Sequence, residues 1–124
     1  MYNVRVEAEF SAAHFLSSYH GKCEKLHGHN YRVRLWAKGS VLNTGGILVD
    51  FKLLKDTLRQ VCKTLDHSNL NDNPVFNDNP SAEHIAHYIF DEVVRILPQY
   101  AAELLNAVDV FETPGSMARY ENDR

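Results

Sequence analysis

Two histidines one residue apart, His27-Gly28-His29, open a stretch in which apolar and polar residues alternate. Side chains two apart on a strand point the same way. The pair can therefore bind one metal ion, and it shares its side with Tyr31, Val33, Leu35 and Ala37. A third histidine, His14, ends an earlier alternating stretch on the apolar side of Val4, Val6, Ala8, Phe10 and Ala12. If the two stretches pair as an antiparallel hairpin, the three rings converge at one end of it. Clustered buried imidazoles without partners are costly, and a shared cation removes that cost. Three neutral imidazoles with no fourth protein ligand nearby describe a catalytic zinc site with an open position. Iron or another divalent ion is compatible with the same donors.

Cys23 lies four residues before His27, in the loop joining the two histidine-bearing stretches. A thiol close to a dication has a lowered pKa and is available as a thiolate base. Two other readings stay open, a fourth ligand that makes the site structural and an inert loop thiol. Asp66 and His67 follow a helical pattern directly and read either as acid/base residues or as helix-end groups, with the histidine favourably placed at a helix C-terminus. Glu112 ends the face that carries Val108 and Val110, as a functional carboxylate or an exposed strand-end charge. Cys62 belongs to an apolar helical stripe and reads as core, while His20, His84 and His87 read as loop or helix-surface residues.

The elements that must position these groups follow from periodicity. Val4 to His14 and His27 to Lys38 are half-buried strands. A turn at Asn43-Thr44-Gly45-Gly46 precedes a short apolar strand, Ile47-Leu48-Val49, and Asp50 caps a helix whose stripe is Leu54, Leu58, Cys62 and Leu65. Between Asp66 and Pro80 stand five Asn and two Pro, too many breakers for regular structure. Ser81 caps a second helix with Ile85, Ile89, Val93 and Ile96 inward, ending before Pro98. Two strands close the chain, one through Val108, Val110 and Glu112 and one from Met117 to Tyr120. The expectation is an α+β domain over 1–124 with order ββααββ.

The chain has 124 residues, a net charge of -3 and 44% hydrophobic residues, enough to bury a core and without the basic patch of a nucleic-acid binder. The apolar runs are short, which argues against a membrane span or export signal. Two cysteines in unlike contexts do not form a disulfide framework, so the reducing cytoplasm is the expected compartment. A small-molecule substrate fits this profile.

The segments FSAAH, C-x3-HGHNY, GGILVDF, LDHSNLND, NPSAEHIA and Glu112-Thr113, in this order, resemble the 6-pyruvoyl and 6-carboxy-tetrahydropterin synthases. The resemblance implies zinc on His14, His27 and His29, Cys23 as proton-abstracting base, and Asp66 with His67 as the other half of the acid/base machinery. It also implies Glu112 as anchor of the pterin's pyrimidine edge. The fold it implies is the tunnelling fold, a four-stranded antiparallel sheet with two helices on one face. Such sheets join into a barrel in a homo-oligomer with active sites between subunits. The implied substrate is dihydroneopterin triphosphate. The short C-x3-HGH spacing is similar to the carboxy type, which releases triphosphate and acetaldehyde and leaves 6-carboxy-tetrahydropterin, a queuosine precursor. Two alternatives are the pyruvoyl type, which keeps all side-chain carbons, and a non-catalytic pterin- or zinc-binding module on the same fold.

Overall fold

The computed structural model describes residues 1–17 and 25–123. Its strands are β1 (Tyr2–His14), β2 (His27–Gly39), β3 (Ser68–Asn69), β4 (Leu105–Thr113) and β5 (Ser116–Glu121), and its helices α1 (Phe51–Leu65), α2 (Ala82–Ile96) and α3 (Gln99–Ala102). The strands form one sheet in the order β3-β1-β2-β4-β5.

β1 and β2 pair antiparallel in an unbroken register from Tyr2↔Gly39 to His14↔His27. This register is the one alternation demands, because it lays Val6, Phe10 and Ala12 beside Leu35, Tyr31 and His29 on the buried side. β4 continues the sheet beside β2 and β5 beside β4, both antiparallel.

Asp50 starts α1 by accepting a hydrogen bond from the Lys52 N–H at 2.9 Å. Leu54, Leu58, Val61, Cys62 and Leu65, spaced by three and four, bury its inner stripe, which lies over β1. Ser81 starts α2 by accepting from the His84 N–H at 3.2 Å, and Leu97 ends it immediately before Pro98. α2 lies over β4 and β5.

Three expectations need correction. The sheet is mixed and five-stranded, not four-stranded and antiparallel, because Ser68 and Asn69 pair parallel with Ala12 and Ala13 of β1. The Asn-rich connection is thus ordered around its own side chains: Asn69 accepts from the Asn71 N–H and Asn73 from the Val75 N–H, starting the 3-10 turns Leu70–Asp72 and Pro74–Phe76. Ile47-Leu48-Val49 forms no strand; Val49 enters the core and Leu48 packs against it from a turn-rich segment. An additional helical turn, α3, follows Pro98.

The side of the sheet away from the helices carries its own polar structure. Asp109 is buried there, accepting from Arg119 Nε at 2.6 Å and Trp36 Nε1 at 2.9 Å, while the Arg5 and Arg119 guanidinium groups each stand 5.6 Å from the Trp36 ring centre. No described element covers this side. Among the described residues, the outer edge of β1 from Tyr2 to Phe10 and the outer edge of β5 have no neighbouring strand.

Candidate metal centre

His14, His27 and His29 converge at the open end of the β1–β2 hairpin, as the alternation requires. Their ring centres lie 4.7 to 5.0 Å apart, with each pair of rings nearly edge to face. One ligand nitrogen from each lies within 4.8 Å of the other two. His14 is 2% exposed and the other two are half-buried. The His14 Nδ1 lies 2.8 Å from the Pro80 carbonyl oxygen and the His27 Nδ1 lies 2.9 Å from that of Lys25. A carbonyl only accepts, so each Nδ1 carries a proton, and in the neutral ring this leaves the Nε2 lone pair for a metal. Outer carbonyls of this kind orient metal-ligating imidazoles, and the trio can hold a metal ion.

Glu112 reaches the same place from β4. The β4–β5 register shifts between Phe111 and Thr113, and such a bulge re-aims the residue within it. Its Oε1 lies 3.7 Å from His14 Nε2 and its Oε2 3.9 Å from His29 Nε2. The carboxylate thus borders the trio and presents two oxygens to whatever binds there.

Tyr31 floors the site. It is fully buried, stacked on Phe10 at 4.7 Å between ring centres, and edge-on to His14 and His29. Burial first, and the Glu112 charge second, push its phenol pKa up, so the hydroxyl remains a neutral donor. That hydroxyl has no hydrogen-bond partner among the described residues.

Asp66 and His67 dock on β1 but do not join the trio. Asp66 Oδ1 accepts from the Ser11 N–H at 2.8 Å, the His67 N–H donates to the Ser11 carbonyl at 2.6 Å, and His67 Nδ1 meets Asp66 Oδ2 at 2.8 Å. His67 adopts φ 55°, an uncommon value for a side-chain-bearing residue. The Ser11 N–H, more than any other contact, holds the Asp66 carboxyl below the usual carboxylate range, with the His67 ring assisting. The His67 ring is exposed and lines an open hollow at the β1 edge with Ser11, Asn30 and His29. Within one chain, the Asp-His pair thus sits at the edge of β1 and is not among the nitrogens that converge as the trio. Cys23 lies outside the described residues. Cys62 is buried in α1, where burial pushes its thiol pKa up to about 12, as suits a core residue.

Sequence reasoning assigned no role to Tyr31, to the Pro80 carbonyl or to Asn71. Only the first carried a signal, its place two residues after His29 on the same face. The others act through a backbone oxygen and through a contact distant in sequence.

A family model described as 6-pyruvoyl tetrahydropterin synthase matches residues 3–123. A 6-carboxy-5,6,7,8-tetrahydropterin synthase of Synechocystis sp. is 37% identical over 129 residues, spanning 100% of this chain and 96% of its own. The Bacillus subtilis protein of the same name is 33% identical, spanning 96% and 84%. Among solved structures, 6-pyruvoyl tetrahydropterin synthase of Caenorhabditis elegans superposes with a TM-score of 0.84 at 26% identity, covering 98% of this chain and 96% of that one.

Proposed function

Because the chain belongs to the 6-pyruvoyl tetrahydropterin synthase family, we propose that it converts dihydroneopterin triphosphate to 6-carboxy-tetrahydropterin, releasing triphosphate and acetaldehyde. The observation that carries this reading is the convergence of three imidazoles beside Glu112 on one sheet face. The carboxy type is favoured by the relatives of that name that align along nearly the whole chain.

In this reading His14, His27 and His29 hold Zn2+, which when bound acidifies the C–H groups of the substrate side chain. Glu112 accepts two parallel N–H bonds from the pterin's pyrimidine edge, fixing ring orientation. Cys23 removes one proton. Asp66, ionised at neutral pH, holds the His67 Nδ1–H and leaves Nε2 to manage a second one. The His67 ring is exposed at the β1 edge, where it can serve the trio of a second copy, and in this reading a second copy supplies the pair. This makes the active enzyme a homo-oligomer with sites between subunits, and the open outer edges of β1 and β5 suit edge-to-edge assembly into a barrel. We read 1–124 as one domain. No helix among the described residues is long and apolar enough to cross a membrane. Buried, unpaired Cys62 fits a reducing cytoplasm.

The pyruvoyl reading draws on a 6-pyruvoyl tetrahydrobiopterin synthase of Drosophila melanogaster, 36% identical over 105 residues. The deciding experiment is anaerobic incubation of the zinc-loaded protein with dihydroneopterin triphosphate, followed by product mass and aldehyde trapping. Acetaldehyde in equal amount with 6-carboxy-tetrahydropterin is expected. A product with all three side-chain carbons reassigns the chain to the pyruvoyl type, and tight pterin binding without turnover makes it a binding module.

A further inference from the structure

The connection between α1 and α2 runs along the end of β1 as a substitute strand. After Asp66 and His67 meet Ser11, and Ser68 and Asn69 meet Ala12 and Ala13, the next contact comes from a side chain. Asn71 Oδ1 accepts from the Phe15 N–H at 2.8 Å, and Asn71 Nδ2 donates to the Phe15 carbonyl at 2.9 Å. A planar amide that meets both backbone groups of one residue offers what a neighbouring strand would. The same Nδ2 donates to Asp78 Oδ1 at 3.0 Å. Asn77 and Asp78 both have positive φ, so the chain reverses there and returns to Pro80, whose carbonyl receives the His14 Nδ1–H. One connection thus grips His14 twice, by its ring and through the peptide that joins it to Phe15.

We propose that Asn71 is a positioning residue of the metal centre: by clamping Phe15 it fixes the backbone of His14 and hence the direction of its Nε2. This rests on the metal-binding reading of the trio. β3 stops opposite Ala13, so without the amide the backbone of His14 is paired on one side alone, with His27, and only its ring stays tied to the connection, at Pro80. Asn71 touches no ligand atom itself. Its effect belongs with outer-shell partners, whose loss weakens metal binding about 10- to 100-fold.

The test compares zinc affinities of the full-length wild type, Asn71→Ala, Asn71→Asp and Asn73→Ala, by competition with a chromophoric chelator. Measurements are made at a temperature where circular dichroism shows each apoprotein folded. Asn73→Ala is the structural control, since it removes the bond to the Val75 N–H in the same connection without touching β1. Asn71→Ala is expected to bind zinc about 10- to 100-fold more weakly, and Asn73→Ala to retain wild-type affinity even if its melting temperature falls. Asn71→Asp keeps an acceptor for the Phe15 N–H, loses the donor and sets a carboxylate against Asp78; it is expected to lose affinity also, and carries the test alone if the alanine variant does not fold. Cobalt(II) spectra should show altered d–d bands in the Asn71 variants only. Wild-type zinc affinity in a folded Asn71 variant, or an equal loss in Asn73→Ala, overturns the proposal. A wild type that binds no zinc overturns the metal reading and this proposal with it.

Discussion

Asp66 draws its lowered pKa mainly from the Ser11 N–H, so its ionised form binds the folded chain better than the unfolded one. A depressed folded pKa contributes stability that is fully present above the unfolded value of about 4 and is lost as pH falls through the folded value. Asp66→Ala should therefore lower the melting temperature at neutral pH, and its gap to the wild type should narrow as pH drops below about 4. Thermal melts across that window check this; a gap that is constant or widens toward acid contradicts it. Glu112 is tested by ligand affinity instead. Glu112→Gln replaces one acceptor oxygen with a donor facing the pterin N–H groups and should weaken binding of a pterin analogue by about 1.5–3 kcal/mol. Calorimetry reads the change, and unaltered affinity would place the pterin anchor elsewhere.

At the scale of elements, Ser81 both caps α2 and follows the carbonyl that orients His14. Ser81→Ala should cost about 0.5–2 kcal/mol of stability in urea unfolding, and a value near zero would mean that the cap is replaced by water. The strands that bring the trio together were legible because the hairpin register is written in the alternation itself: a slip of one residue would put His14, with the apolar set of β1, on the opposite face from His27 and His29. β3 was not legible, since two residues are too few to show a period. The apolar run Ile47 to Val49 misled for a related reason, because burial of one residue and packing of another need no strand partner. The five Asn of the connection were read as breakers. Asn69, Asn71 and Asn73 instead order it by bonding backbone groups, a long-range or local choice that composition does not reveal.

For the whole molecule, the exposed docking of His67 on the edge of β1 is what sequence could not show, because strand alternation says nothing about where a following loop bonds. Because the proposed chemistry takes this pair from a second copy, it requires assembly. Light scattering should give a mass several times that of one chain, held at micromolar dilution, and a sharp single-chain mass would contradict the barrel reading. In that case no second copy would bring its Asp-His pair to the candidate metal centre.

Trp36 is the one tryptophan in the chain, and it stands on the uncovered side of the sheet between Arg5 and Arg119 with its indole N–H on Asp109. It lies seven residues along β2 from His29, roughly 23 Å at about 3.3 Å per residue, and on the opposite side. Its fluorescence is therefore a built-in optical reporter that is insulated from the imidazoles. Emission and quencher access will follow whatever comes to cover that side, and will stay still when only the histidine end is filled.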